Sequence, residues 1–217
     1  MTILHHLDDA TLVAYAAGTL GEAHHVVVAS HMAFCPQCRA AVRAAEAIGG
    51  GLLVEQEQSA VSDSCRAATL ASLGLVMERP TAKRPAVVDG VPVMLTELLK
   101  GKPLSELRWK TRGPGIAKVD IALNDGGKTH LLLMRIGPGR KMPEHGHGGE
   151  ELTLILKGSY SDHTGRYRPG DVADLDEDIE HQPHIDSDED CICLIATEAP
   201  TKFKSFWARL AQPFVGI

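Results

Sequence analysis

The segment HMAFCPQC places His31, Cys35 and Cys38 at H-x3-C-x2-C spacing. One tight turn at Pro36-Gln37 aims both sulfurs at a single point, and His31 lies one helical turn before Cys35 on the same side. Three soft or borderline donors at this spacing suit zinc, which takes four ligands in a tetrahedron. The fourth must come from elsewhere in the chain, and His5 and His6 are the candidates. His6 is preferred because it leads directly into the first helix and would pin that helix to the second and third. The competing chemistry is a redox C-x2-C pair. Such a pair sits after a strand, whereas this one sits between helices. A closed four-donor site contributes folding free energy rather than reactivity.

About a hundred residues downstream, Gly139, His145, His147, Glu151 and Gly158 follow the spacing G-x5-H-x-H-x3-E-x6-G. His145 and His147 alternate along a strand, so both rings face one side. Glu151 follows a Gly148-Gly149 turn and can return a carboxylate to the same point. This spacing resembles the first cupin motif at every position. By that resemblance a proline-glycine turn and another histidine should follow. Arg168-Pro169-Gly170-Asp171 supplies the turn, and His181 is the expected fourth ligand, with His184 its rival. Three histidines and one glutamate accept zinc, manganese, iron or nickel, so the expected ion is zinc or another divalent transition metal. Glu144 and Glu150 read as solvated neighbours, although Glu150 could compete with Glu151. Cys191 and Cys193 share one face of a strand, either as buried small hydrophobes or as oxidisable thiols near the ion. Cys65 reads as core, and His24 and His25 as solvated or partner-facing.

The elements that must position these groups change character along the chain. Residues 1 to about 78 read as four helices. Asp8 or Asp9 caps the first, which Gly18 stops. Thr19-Leu-Gly-Glu22 is a capping-box signature for the second. Pro36 opens the third, which is expected to stop at Gly49-Gly50-Gly51. The fourth begins at Ser62 or Asp63 and runs through Leu70, Leu73 and Met77. RPTAKRPAVVDG, residues 79–90, carries prolines and cations without apolar periodicity and reads as a linker. From about residue 92, short β-rich runs separated by Gly, Pro and Asp turns predict a small sandwich or barrel. The expected architecture is α+β in two domains: residues 1–85 helical and zinc-binding, and 91–217 β-rich.

Composition narrows the functions. A formal charge of −6 argues against a nucleic-acid surface, which needs a basic stripe to neutralise phosphates. Residues 1–85 hold six Lys/Arg against eight Asp/Glu, so no basic module hides there. The start MTILHHLDDA lacks a secretory pattern, and no apolar run approaches the roughly 20 residues of a membrane helix. A soluble, cytoplasmic protein is expected, with cysteines serving metal or redox chemistry rather than disulfides.

The helical half resembles the zinc-containing anti-sigma domain, with His6, His31, Cys35 and Cys38 at the positions of its ligands. That domain joined to a single cupin resembles the ChrR-type anti-sigma factors. The likeness extends through Ala14-Tyr15-Ala16-Ala17-Gly18-Thr19-Leu20, Glu151-Leu152-Thr153-Leu154, Asp190-Cys191-Ile192-Cys193-Leu194 and Ala211-Gln212-Pro213. It implies a four-helix zinc anti-sigma domain and a β-barrel cupin. It also implies a non-enzymatic regulator that holds an extracytoplasmic-function sigma factor as a 1:1 heterodimer and releases it under singlet oxygen or organic hydroperoxide. Two rival readings are a dioxygenase-like, metal-dependent cupin enzyme with a helical accessory domain, and a metal-storage protein. The second is disfavoured because each cluster looks complete for a single ion.

Overall fold

The computed structural model describes residues 2–73 and 87–199, together with the backbone of a strand at Lys202–Phe203. Helix α1 (Asp9–Ala16) ends as expected at Gly18, which takes φ +69°. Gly18 N–H donates to Tyr15 O and Thr19 N–H to Ala14 O, the paired bonds that satisfy a helix's last carbonyls.

Helix α2 (Glu22–Phe34) begins after Gly21, and the expected capping box does not form. The Thr19 hydroxyl instead donates to Ala14 O, and the Glu22 carboxylate accepts from Asn124 N–H at 2.7 Å. The free Ala23 N–H of the first turn is capped from far along the chain, by Thr129 Oγ1 at 3.1 Å. A β-carbon at Gly21 would stand 2.5 Å from Thr129 Cγ2, so only glycine admits this cap.

Helix α3 (Pro36–Val54) carries Pro36 at its first position and runs straight through Gly49-Gly50-Gly51. Glycine weakens a helix by about 1 kcal/mol relative to alanine but leaves the right-handed conformation open. The residue that follows the helix, Glu55, is itself right-handed, so nothing forces the stop that was expected. Helix α4 (Asp63–Ser72) is capped by Ser62, whose hydroxyl accepts from Cys65 N–H at 3.2 Å. Cys65 is exposed on this helix rather than in a core, because α4 buries none of its residues. Three expectations lie outside the described residues: the continuation of α4 to Met77, residues 79–86 of the linker, and Ala211–Pro213.

The remainder of the expected linker is a hairpin, β1 (Val87–Val88) with β2 (Val91–Pro92), turned by Asp89 and Gly90 at φ 50° and 77°. Short helix α5 (Val93–Leu98) follows. The β-rich part then comprises β3 (Lys110–Gly113), β4 (Ile116–Ile121), β5 (His130–Ile136), β6 (His145–Gly146) and β7 (Glu151–Lys157). Next come β8 (Tyr160–Ser161), β9 (Arg166–Tyr167), β10 (Val172–Leu175), β11 (His184–Ile185), β12 (Cys191–Thr197) and β13 (Lys202–Phe203). A six-stranded antiparallel sheet has the order β10-β7-β12-β5-β4-β3, and a three-stranded sheet has the order β11-β8-β9.

The large sheet is apolar on both faces, which positions everything else. Leu131, Leu133, Leu152, Leu154, Leu194 and Ala196 point outward and form one core with Ala23, Val27 and Val28 of α2 and Leu12 of α1. Their neighbours in sequence, Leu132, Met134, Ile155, Cys191, Cys193 and Ile195, point inward. They pack against Tyr160, Tyr167 and Ile185 of the small sheet. Period-two alternation between two apolar sets requires cover on both sides. The helices supply one cover and the small sheet the other.

Two candidate metal centres

The first cluster forms where α2 hands over to α3. Cys35 ends α2 and caps α3, its Sγ accepting from Cys38 N–H at 3.4 Å. His31 Nε2 lies 3.3 Å from Cys38 Sγ, and His6 Nδ1 lies 3.3 Å from Cys35 Sγ and 3.7 Å from Cys38 Sγ. An ion bound tetrahedrally at the usual zinc–nitrogen and zinc–sulfur lengths separates its donors by roughly 3.5 Å. All four donor atoms lie within 4.8 Å of one another, so the set fits one such ion. His31 Nδ1 donates to the carbonyl of Gly170 at 2.9 Å, which leaves the Nε2 lone pair facing the sulfurs.

Burial, opposed by the Gly170 hydrogen bond, brings His31 down to about 4, so its ring is neutral and able to ligate at physiological pH. Burial also pushes the Cys38 thiol up to about 11, with the Cys35 thiol adding to the rise. A metal must therefore displace a proton from Cys38. His5 does not join this set. Its ring stacks on Tyr167 with centroids 4.2 Å apart, and its Nε2 donates to Arg166 O at 3.1 Å.

The second cluster lies on the inner side of the sheet. His145 and His181 exchange backbone hydrogen bonds at 3.0 and 2.9 Å, an antiparallel pairing that sets their side chains side by side. Their Nε2 atoms stand 3.1 Å apart. The other ring nitrogens are already used, His145 Nδ1 donating to Pro143 O and His181 Nδ1 to Asp162 Oδ2, both at 2.8 Å. Two lone pairs so opposed call for a cation between them.

His147 completes a trio whose nitrogens lie within 4.8 Å. It is 1% exposed, yet neither ring nitrogen makes a hydrogen bond among the described residues. A buried polar group without a partner is costly, and metal coordination removes that cost. Glu151 Oε2 approaches His147 Nδ1 to 3.2 Å without hydrogen-bond geometry, placing a carboxylate beside the trio. Burial opposes ionisation of Glu151, but the three surrounding imidazoles outweigh it and lower its pKa. His184 stands on β11 paired with Ser161 and is not among the clustered donors.

A search of known proteins bears on the whole chain. Residues 102–200 match the family model of the ChrR cupin-like domain. Anti-sigma-E factor ChrR of Cereibacter sphaeroides is 42% identical over 217 residues, covering all of both chains. The crystal structure of Rhodobacter sphaeroides SigE in complex with the anti-sigma ChrR superposes with a TM-score of 0.76 at 40% identity. That match covers 90% of this chain and all of the other.

The chain belongs to the ChrR family of anti-sigma factors.

The chain is thus a ChrR-family regulator with an α+β, cupin-like fold, and it carries two groups, His6, His31, Cys35 and Cys38, and His145, His147 and His181, that could hold a metal ion. Among the described residues, no helix is long and apolar enough to cross a membrane. A cavity of about 80 Å³ adjoins the second cluster, lined by Met134, Met142, Tyr160, Cys191 and Cys193 together with Glu151, His145 and His181. Cys191 and Cys193 are both buried there, which satisfies the core reading and also places them beside the cluster. In Cys193, the Cys191 thiol and then burial push the thiol far above its ordinary range.

Two further expectations need correction. His24 is 1% exposed, with Nε2 at 3.2 Å from Glu150 O, and His25 stacks on Tyr15 with centroids 4.5 Å apart. Neither is a free surface ring, because α2 lies on the sheet and turns His24 inward. Glu150 is likewise engaged, its carboxylate accepting from Thr11 Oγ1 at 3.2 Å. Sequence reasoning missed Asp162 and read Gly170 and Asp171 only as part of the RPGD turn, yet all three support the clusters without ligating.

Proposed function

We propose that this chain binds an extracytoplasmic-function sigma factor 1:1 in the cytoplasm, blocks it, and lets it go under singlet oxygen or organic hydroperoxide. The observation that carries this reading is the set of exposed apolar side chains on α3, on α4 and on the residue that follows it. Ile48, Leu52, Leu53, Val54, Leu70 and Leu73 are all more than half exposed there. A monomer gains nothing by leaving so many large apolar side chains in water, and a concentration of them marks a protein interface. The family relationship supplies the occupant, since the ChrR structure was solved with SigE bound.

In this reading residues 1–85 form a four-helix anti-sigma domain organised by structural zinc on His6, His31, Cys35 and Cys38. Residues 79–90 link it to a cupin of residues 91–217, a β-barrel that holds zinc or another divalent transition metal on His145, His147, Glu151 and His181. The ion in the second site supplies an oxidisable or exchangeable centre, and the chain's own residues hold its ligands and exclude water around it.

Co-expression with the cognate sigma factor and purification of the pair tests the reading directly. A stable 1:1 complex that dissociates on treatment with organic hydroperoxide is expected. A free regulator with no sigma bound would overturn it. The cavity beside the second cluster supports one alternative, a dioxygenase-like cupin enzyme. That alternative would show itself as turnover of a small organic substrate by the purified, metal-loaded chain.

A further inference from the structure

His5 ligates neither cluster, yet it is held more closely than its half-buried position needs. Its backbone N–H donates to Asp171 Oδ1 at 3.1 Å, next to the 2.7 Å bond from Leu4 N–H to the same oxygen. Its carbonyl accepts from Val172 N–H at 3.4 Å. Its ring stacks on Tyr167 and lies so close to Gly165 that a β-carbon there would sit 2.6 Å from Cε1. These partners belong to the β8–β9 hairpin, to the turn that follows it and to Val172, the first residue of β10. The next residue in the chain is His6, which faces Cys35 and Cys38.

The other side of the same hairpin is tied to the second cluster. Its turn spans residues 162–165 and is closed by Asp162. One carboxylate oxygen, Oδ1, accepts from Thr164 N–H at 2.8 Å, from the Thr164 hydroxyl at 2.6 Å and from Gly165 N–H at 3.2 Å. The other, Oδ2, accepts from His181 Nδ1 at 2.8 Å. Asp162 thus divides one buried carboxylate between a metal-cluster imidazole and the turn that supports His5. A second connection runs through aromatic rings. Tyr160 lines the inner cavity and stacks on Tyr167 at 4.8 Å, and Tyr167 carries the His5 ring.

We propose that His5 and Asp162 are positioning residues that couple the two clusters through the β8–β9 hairpin. A filled second site fixes His181 and with it Asp162 and the hairpin, and the hairpin then presents His6 to the sulfurs. When the second site is disturbed, the hairpin loosens, His6 is held less firmly, and the ion that organises the helices is bound more weakly. This rests on both clusters being metal sites. Coupling of this kind is a free energy shared between sites, so it is reciprocal and measurable as non-additivity.

The test uses the full chain loaded with cobalt(II). Thiolate-to-cobalt charge transfer reports the first site alone, because the second offers no sulfur ligand. Cobalt affinity of the first site is measured by chelator competition in wild type, His147→Ala, His5→Ala, Gly165→Ala and the two double variants with His147→Ala. The first-site affinity should fall about tenfold on emptying the second site through His147→Ala, within the usual range of coupling between sites. His5→Ala and Gly165→Ala should each lower it similarly, and adding His147→Ala to either should lower it no further. His5→Phe, which keeps the ring on Tyr167, should recover most of the loss, whereas a merely misfolded variant would not be rescued. Effects that multiply in the double variants, or a first site indifferent to His147→Ala, would overturn the coupling. Total metal content separates the two levels: fewer than two ions per wild-type chain removes the metal reading and the coupling with it. Two ions with multiplying effects remove the coupling alone.

Discussion

Around His31, helices, the first residues of the chain and the Gly170 turn close over four donors, with both cysteines about 1% exposed. Around His145 and His181, the sheet's inner face leaves a cavity beside three imidazoles and a carboxylate. Both clusters use the same local device, a histidine Nδ1 that donates to a fixed acceptor so that Nε2 presents a lone pair. What differs is the room beside the donors and their softness. Sulfur with nitrogen in a buried set makes a clasp, whereas nitrogen with oxygen and adjoining space makes a site that something can reach. In the proposed reading the first serves folding and the second responsiveness.

The sharpest way to break this division is to remove a sulfur. Cys35→Ala or Cys38→Ala should abolish metal at the first site and, with it, sigma binding. Structural zinc contributes on the order of 10 kcal/mol to small domains of this kind. Metal analysis and co-purification check both, and a variant that loses zinc but still holds sigma would show that the clasp is dispensable. Next in size, Leu52→Asp with Leu53→Asp on α3 should weaken sigma binding by at least about tenfold, which corresponds to about 1.4 kcal/mol. Zinc content should be unchanged, because neither side chain lies near the cluster.

Third, His145→Ala, His147→Ala or Glu151→Ala should blunt release under oxidant while sigma inhibition persists at saturating zinc, because a first-site affinity lowered about tenfold still leaves that site filled. The same assay on a Cys191→Ala, Cys193→Ala double variant separates a metal-centred response from a thiol-centred one. If only the cysteine variant fails to respond, the cavity thiols carry the chemistry.

A further expected effect concerns acid and the metal-free chain. His31 titrates at about 4 in the fold against an ordinary value near 6.5, so the unfolded chain takes up its proton first as pH falls. The stability contributed by the neutral ring is full above pH 6.5 and is lost as pH drops toward 4, a change of roughly 3 kcal/mol. Urea unfolding of chelator-treated protein at pH 7, 5 and 4 should show that loss. A His31→Gln chain should show a shallower slope, and an unchanged slope would remove His31 as its source.

The donors themselves were legible because ligand chemistry depends on residue type and short spacing. His31, Cys35 and Cys38 fall within eight residues, and His145, His147 and Glu151 within seven, so local geometry alone brings each set near one point. The glycine stop at Gly18 and the proline start of α3 were legible for the same reason. His6 and His181 were chosen over His5 and His184 from sequence, and the structure brings the chosen pair into the clusters. The capping box failed because Thr129, more than a hundred residues away, offered a better partner than Thr19. The end of α3 failed because three glycines lower helix propensity without forbidding it.

Sequence by itself determined which atoms can bind metal, that the chain carries two such sets, and that a helical part precedes a β-rich one. These follow from side-chain chemistry and from periods of 3.6 and 2, which need no partner to be read. Tertiary structure decided how the two parts meet. The runs LLLMRI, LTLIL and CICLIA are apolar on both faces, and only packing shows that α2 covers one face while the small sheet covers the other. The same packing turns His24 inward and sets Gly170 O on His31. It also brings Asp162 between His181 and the hairpin that carries His5. Those contacts join residues separated by up to about 140 positions, where no local pattern records the pairing and only burial of shared apolar surface fixes it.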